Sequence, residues 1–216
     1  MERFASVQGV QHRGAAQYRR RRAAVLLRGK LSEAPVHGRA PPRKSGAGAI
    51  VRVRVSAGAT FSRDRLYRYR LWRHWDLSRA PLLMIMLNPS TADEERNDPT
   101  VERCERRARA SGFGGLLVAN IFALRSTDPK ALYAHPSPVG PRNDAAILAM
   151  AGEAGQVVCA WGVHGALSDR GQRVASRLGR EGIRLGVLGL TREGHPRHPL
   201  YMASATAIAP WEGYVR

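Results

Sequence analysis

Two asparagines and two histidines are the side chains of this sequence best suited to chemistry. Asn88 and Asn120 each follow an unbroken apolar run, and His195 and His198 share a proline-containing loop near the C-terminus. An amide can orient a water or read one edge of a base, and an imidazole can donate a hydrogen bond to developing negative charge. These groups suit hydrolysis of an N-glycosidic bond, because a departing base anion needs stabilisation at its carbonyl oxygen.

Other chemistries find weaker support in the sequence. The glycines at 112–115 precede an apolar run, which is the wrong side for a Rossmann or P-loop phosphate site. Ser90 lacks the Gly-x-Ser-x-Gly context of an activated nucleophile. A metal site built from the two loop histidines with His164 or Asp93 would have loose spacing. We therefore expect no cofactor and no metal.

The elements that must position these residues alternate along the chain. Apolar runs at 82–87, 115–120, 156–162 and 183–190 predict four strands, and helices are predicted at 99–111, from 128, at 141–151 and at 165–178. Asp98 can cap the first helix and Pro99 suits its first position. The alternation predicts an α/β fold, a three-layer αβα sandwich with a mainly parallel four-stranded sheet. The strand ends would then bring Asn88, Asn120, the turn at 161–164 and the C-terminal histidines to one edge.

An N-terminal β-hairpin is predicted ahead of this sheet. Valines alternate with arginines at 51–55, and apolar residues alternate with arginines at 67–71. Such alternation is typical of half-buried strands. Gly58 and residues 62–64 would form the turn between the two strands.

The net charge of +18 favours a polyanionic partner, with nucleic acid first and an anionic membrane second. Residues 1–48 carry eleven Lys+Arg against two acids, and they show no sustained periodicity. Three interpretations of this segment stay open: a basic arm that binds nucleic acid, an organelle transit peptide, or upstream sequence translated from a misplaced start, which we favour. We expect a disordered basic tail at 1–48 and a single α/β domain at 49–216.

Apolar content and cysteine usage bear on the compartment. No apolar run approaches about 18 residues, so no membrane span is expected. Cys104 and Cys159 lie far apart in the sequence and fit no metal-ligand spacing. Both are expected to be free thiols in a reducing compartment, which predicts a cytoplasmic protein.

Several motifs together resemble a known family. From about Tyr67 to Trp211 the chain resembles the bacterial and phage family catalogued as domain of unknown function 1643. The stretches that carry the resemblance are Met86–Asp93, Asn97–Thr100, Leu116–Asn120, Ala160–Gly162 and His195–Tyr201. More distantly, the order of these motifs is similar to that of the uracil-DNA glycosylase superfamily, which cleaves bases from DNA.

The glycosylase resemblance implies roles for individual residues. It implies that Asn88 and His198 are catalytic, Asn88 orienting the water and His198 acting as the electrophile. It implies that Asn120 reads the base, in a pocket shared with Pro89 and Ser90. In place of the superfamily's usual stacking aromatic, which has no obvious match here, Phe122 is a candidate substitute.

The same resemblance implies a DNA contact in the histidine loop. Leu200 or Tyr201 would enter the base stack as a wedge, with Arg197 and His195 beside it. The repeated His-Pro pair leaves open which histidine is catalytic, although His198 matches better because Leu200 follows it.

Three functional hypotheses follow. The first is a hydrolase that releases a damaged or modified base from DNA or from a nucleotide. The second is a non-catalytic nucleic-acid or nucleotide-binding module on the same fold. The third is an enzyme acting on an unrelated small molecule.

Overall fold

The computed structural model describes residues 56–214, so the predicted tail at 1–48 and the predicted strand at 51–55 lie outside the described residues. The strands are β1 (Ser56–Phe61), β2 (Arg68–His74), β3 (Pro81–Met86), β4 (Gly115–Asn120), β5 (Gln156–Cys159), β6 (Leu185–Val187) and β7 (Ala209–Trp211). The α-helices are α1 (Pro99–Ala110), α2 (Ala131–Ala134), α3 (Asn143–Glu153) and α4 (Arg170–Arg180). Two 3₁₀ segments, Val163–Asp169 and Pro199–Tyr201, complete the set.

The seven strands form one mixed sheet in the order β1-β2-β4-β3-β5-β6-β7. The inner strands β4, β3, β5 and β6 pair in parallel, while β1 with β2, β2 with β4 and β6 with β7 are antiparallel. The α/β class is confirmed and the four predicted strands pair in parallel, but they are part of a seven-stranded mixed sheet, so the predicted number of strands is wrong. The predicted hairpin extends the sheet at one side, and β7 was missed because a three-residue edge strand containing Pro210 carries no alternation signal.

The sheet has helices on both faces because its inner strands are apolar on both faces. In β3, Leu82 and Met84 pack in the core cluster that includes α1, while Leu83 and Ile85 pack in the cluster that includes α3 and α4. All six residues of β3 are buried. Burial on both sides is what a continuous apolar run indicates for a central parallel strand.

The N-terminal hairpin forms between β1 and β2. β1 begins at Ser56, and Gly58 lies inside it rather than in the turn. A Cβ on Gly58 would lie 2.3 Å from Cζ2 of Trp72 on the neighbouring strand, so the position has to be glycine for the indole to pack there. The turn falls at residues 62–67, where the Ser62 amide donates to the Tyr67 carbonyl at 2.9 Å.

No helix among residues 56–214 has both the length and the apolar content that a membrane crossing requires.

Trp161, at the carboxyl end of β5, packs so closely against neighbouring glycines that a side chain added there should destabilise the fold. Its ring is 1% exposed, and a Cβ on Gly165 would lie 2.1 Å from its Cδ1. We expect Gly165→Ala to lower the free energy of unfolding by about 1–3 kcal/mol, because the buried ring has little room to move. Urea unfolding measures this loss.

A second glycine provides the matched control. Nothing lies within 4 Å of a Cβ added to Gly179, which is inside α4. Gly179→Ala should raise the free energy of unfolding by about 0.5–1 kcal/mol through helix propensity. Equal stability of the two variants would contradict the packing argument.

Candidate functional site

Asn88 lies just beyond the carboxyl end of β3 and is half-buried. Its Nδ2 donates to the Ser126 carbonyl at 2.8 Å and to the Pro89 carbonyl at 3.1 Å. Because a primary amide has only two hydrogens to donate, these bonds fix the amide and leave Oδ1 as the free acceptor. The side chain is therefore oriented so that it could accept a hydrogen bond from a water or ligand.

Asn120 ends β4 and is 2% exposed. Its Oδ1 accepts from Nη2 of Arg68 at 3.2 Å. A guanidinium has no acceptor, so the amide oxygen must face Arg68 and Nδ2 must point away from it. That Nδ2 is buried and has no hydrogen-bond partner among the described residues. Buried donors are nearly always paired, so this group is available to a ligand or to a water.

Arg68 is the main residue that the sequence did not identify. The register of β1 with β2 shifts so that Thr60 pairs with Arg70 and Phe61 with Arg68, which leaves Tyr69 as an extra, bulged residue. β-Bulges re-aim side chains. Here the guanidinium is directed inward, where Nη1 also donates to the Ala92 carbonyl at 2.8 Å. The alternating 67–71 pattern gave no local sign of this.

The charge of Arg68 is buried without an ion pair. The residue is 2% exposed, and no carboxylate of the described chain lies within 4 Å of its nitrogens. Burial lowers the pKa of Arg68 to about 10, although Asp98 opposes this. At about 1.4 kcal/mol per pKa unit, keeping the charge there costs roughly 3 kcal/mol. An unpaired buried charge of this kind favours a site that receives negative charge from a ligand.

His198 brings an imidazole to the same region of charge. Burial lowers the pKa of His198, and the carboxylate of Asp98 opposes this in part. Its Nδ1 accepts a long hydrogen bond from the Leu200 amide at 3.4 Å. With Nδ1 as an acceptor in a neutral ring, Nε2 carries the hydrogen and can donate it.

Asp98 connects the electrostatics of these groups. It is the N-cap of α1, where its Oδ1 accepts from the Val101 amide at 2.8 Å, and it is 9% exposed. It acts on both Arg68 and His198. The charge of one carboxylate at the start of α1 therefore acts on both the first residue of β2 and the histidine loop.

Gly162 joins the histidine loop to the end of β5. Its amide donates to the Pro196 carbonyl at 2.7 Å. A Cβ on Gly162, whose φ is +74°, would lie 4.0 Å from Cβ of His198. Glycine adopts this left-handed conformation without the strain that a side chain would add.

The two histidines of the loop have different surroundings. Nδ1 of His195 lies 3.2 Å from the Tyr214 hydroxyl, which also accepts from Nε1 of Trp161 at 3.0 Å. Asp98 acts on His198, as described above. The two histidines therefore have different surroundings, and His198 is the one on which the charge of Asp98 acts.

The other residues that were predicted to contact the base or the DNA differ in how deeply they are buried. Phe122 is 1% exposed and packs in the apolar core, so its predicted stacking on a base does not agree with its burial. Pro89 is buried and Ser90 half-buried. Leu200 and Tyr201 are 40% and 81% exposed. Arg197 is exposed, and its Nε donates to the Leu190 carbonyl at 3.0 Å.

Side chains of α3 and α4, on the face of the sheet opposite α1, donate hydrogen bonds to the backbone at the end of β4. Nδ2 of Asn143 donates to the carbonyls of Asn120 and Ile121, at 2.9 and 3.0 Å. Nε of Arg170 donates to the Ile121 carbonyl at 2.7 Å, and Arg170 forms an ion pair with Asp144. These bonds hold the backbone from which the Asn120 side chain projects.

Arginines of α1 hold the chain that follows the histidine loop. Nη1 and Nη2 of Arg107 donate to the carbonyls of Thr206 and Ala203, at 2.6 and 2.7 Å, and Arg103 donates to the Met202 carbonyl at 3.1 Å. These two arginines therefore bind main-chain carbonyls and do not form part of a solvated face.

Cysteine and metal chemistry can be described for residues 56–214. Cys104 and Cys159 are free and buried, and burial raises the pKa of both thiols. Within this part of the chain, no three His, Cys, Asp or Glu side chains come together as a metal site would require.

The lowered pKa of His198 predicts a pH dependence of stability. An unfolded histidine binds its proton near pH 6.5, and folded His198 binds one only at lower pH. Between these values the unfolded state holds more protons, so stability is full above this window and falls as pH drops through it. The free energy of unfolding of wild type minus that of His198→Gln should therefore decrease from about pH 7.5 to about pH 5. Parallel curves for the two proteins would refute this.

The fold and site define an α/β protein whose mixed sheet carries a polar group of amide, guanidinium, carboxylate and imidazole at the carboxyl ends of its parallel strands. The model of the family described as "Protein of unknown function (DUF1643)" matches residues 68–200, which is more than half of the chain. The chain belongs to this family. No curated protein and no solved structure matches it.

Proposed function

We propose that the loops at the carboxyl ends of the parallel strands form a crevice that binds a nucleobase, and that the protein hydrolyses the N-glycosidic bond of a damaged or modified base in DNA or in a nucleotide. The observation that carries the proposal is the buried, unpartnered Nδ2 of Asn120, whose orientation is fixed by Arg68. A base carbonyl would supply the missing acceptor. The nearby charge of Arg68 would favour the base as it leaves with negative charge.

Asn88 and His198 would complete the reaction. Oδ1 of Asn88 would accept a hydrogen bond from the attacking water and hold it near the sugar. The water oxygen bonds to the anomeric carbon as the bond to the base nitrogen breaks. The electron pair of that bond leaves with the base, and the surplus proton of the water ends on the base. Nε2–H of His198 would donate to the negative charge on the base, a role for which a neutral imidazole is suited.

Exposed apolar side chains support a large substrate. The large hydrophobic residues with the greatest exposure lie on the loops at this edge of the sheet or on the adjoining β1–β2 turn; they are Leu66, Tyr133, Val163, Leu190, Leu200 and Tyr201. Apolar side chains at the rim of a crevice suit contact with unstacked bases. We propose that Leu200 or Tyr201 fills the space left by an extruded base, with Arg197 and His195 on the same loop.

The relation to the uracil-DNA glycosylase superfamily is part of this proposal. Its support is the order of the motifs and the placement of Asn88, Asn120 and the histidine loop after strands of one sheet. We also propose that the protein works in the cytoplasm on DNA or nucleotides, and that it needs no cofactor.

The test is base release from oligonucleotides that each contain one uracil, hypoxanthine or hydroxymethyluracil, followed by alkali to reveal abasic sites. We expect cleavage of at least one substrate by the full chain. Asn88→Ala should slow release by about 10²-fold and leave DNA affinity nearly intact. The matched control is Asn97→Ala, because Asn97 is also half-buried but bridges Arg73 and Glu105. Release at the wild-type rate by Asn88→Ala would exclude its catalytic role.

The second candidate is a non-catalytic module that binds nucleic acid or a nucleotide. It is favoured by the two main-chain bonds of the Asn88 amide, which give that residue a structural role without catalysis. Clear binding of every oligonucleotide without release from any would select this function. A parallel loss of affinity in Asn88→Ala would point the same way.

A further inference from the structure

A groove with a basic wall lies between α3 and α4, on the face of the sheet opposite α1. Its volume is about 410 Å³. The lining combines apolar side chains such as Leu148 and Val174 with the four arginines of α4, the acids Asp144 and Asp169, and the uncharged polar Gln172 and Ser176. Nothing in the proposed base-release reaction uses this groove.

Part of the positive charge of the described fold lies on α4. Residues 56–214 contain 21 Lys+Arg against 15 Asp+Glu, a net charge of +6. The eleven residues of α4 contain four arginines and no acid. By contrast, α1 has two glutamates among its arginines, and Arg103 and Arg107 already bind carbonyls. The α4 wall is therefore a cluster of positive charge with no acid on the same helix.

Three of the four arginines are free to bind a ligand. Arg170 is 4% exposed and is held by Ile121 and Asp144, so it forms the closed end of the groove. Arg173, Arg177 and Arg180 are exposed. Within the described residues, Arg177 has one long ion pair to Glu181 at 3.4 Å, and the side chains of Arg173 and Arg180 form no ion pair or hydrogen bond.

The spacing of these arginines fits a chain of phosphates. Positions 173, 177 and 180 are four and three residues apart, which places them on one side of a helix. Seven residues at about 1.5 Å each span about 10 Å along the axis. One phosphate or carboxylate would engage one or two of these guanidinium groups, whereas a phosphodiester backbone can engage all three, and arginine is well matched to phosphate.

We propose that the groove between α3 and α4 is a nucleic-acid backbone site, in which Arg173, Arg177 and Arg180 contact successive phosphates. The acids Asp144 and Asp169 lie at the end near Arg170 and direct the phosphates toward the other three arginines. The site binds without reading sequence, and it stands whether or not the strand-end crevice releases a base.

The experiment compares two full-chain variants of equal charge. Arg173→Ala/Arg180→Ala removes the two unpaired groove arginines. Arg79→Ala/Arg106→Ala removes two exposed arginines from other parts of the fold. Affinity for a fluorescent, lesion-free DNA duplex is measured by anisotropy across a salt series. Residues 1–55 contribute the same background to every protein.

The groove variant should bind duplex more weakly than the control variant at every salt concentration. The slope of its plot of log affinity against log salt concentration should be less negative by about 2, because each lost phosphate contact removes about 0.9 from the slope. Equal losses in the two variants would show a response to net charge alone and overturn the proposal. So would displacement of the duplex by inorganic phosphate at matched ionic strength, because the site would then be one for a small anion.

Discussion

Replacing Asn120 with aspartate should impair base release and strengthen the fold at the same time. Asn120→Asp exchanges the unpartnered Nδ2 for an oxygen and places a carboxylate beside the buried charge of Arg68. Loss of the donor should slow release by about 10²–10³-fold. The new charge-assisted bond should raise the free energy of unfolding by about 1–2 kcal/mol at neutral pH.

The sign of the pH dependence gives a second measurement. The guanidinium of Arg68 would lower the pKa of the new carboxyl below its unfolded value. Its stabilisation is then present above the unfolded pKa and is lost as pH falls through the folded pKa. Urea unfolding of wild type and Asn120→Asp at about pH 7 and about pH 3.5 should show a smaller gain at the lower pH.

Asn143→Asp is the matched control for this prediction. Asn143 is also fully buried, but its Nδ2 donates to two carbonyls. A carboxylate there would face acceptors, so the same substitution should lower stability by about 3 kcal/mol or more. A loss of stability in both variants would mean that Asn120 is an ordinary structural amide and that its free donor has no functional meaning.

The elements that carry continuous local signals were predictable from sequence. β4 was predicted at 115–120 and is observed there, because an apolar run with burial on both faces ends at a polar residue. The cap of α1 was also predictable, since Asp98 and Pro99 are standard first-turn residues and Asp98 accepts from the Val101 amide. Asn88 and Asn120 follow β3 and β4 for the same reason.

The groups around those amides depend on long-range geometry and were not predictable. Arg68 turns inward only because Tyr69 is bulged against β1, and a bulge depends on how two strands pair. Arg170 reaches the Ile121 carbonyl from a helix 49 residues away in the chain. Phe122 shows the converse error, because a resemblance suggested a base contact where the fold has a core residue.

Site residues that are unpaired cost stability, and here the cost can be assigned to particular atoms. The unpartnered Nδ2 of Asn120 and the unpaired charge of Arg68 are adjacent and buried. A fold selected for stability alone would pair the charge of Arg68 with a carboxylate, and Asn120→Asp would supply one. Natural proteins retain such defects at functional sites, where a ligand satisfies them.

Removing Arg68 should reverse the effect of Asn120→Asp on the free energy of unfolding. This reversal is the largest change in stability that we expect. In an Arg68→Met background, Asn120→Asp would bury a carboxylate with no cation beside it. The free energy of unfolding should then fall by about 3–5 kcal/mol, instead of rising as in the parent. The four proteins of this double-mutant cycle, compared by urea unfolding, should show a coupling of several kcal/mol between the two positions.

Such coupling is much larger than the roughly 0.5 kcal/mol within which independent sites add. The same cycle tests recognition, because a thioether at position 68 has no hydrogen to donate and would no longer fix the amide of Asn120. The Arg68→Met variant should therefore discriminate less between bases that present a carbonyl and bases that present an amino group at that edge. Additive stabilities together with unchanged discrimination would show that the charge of Arg68 does not orient Asn120. The strand-end crevice would then lack the fixed donor on which base recognition depends.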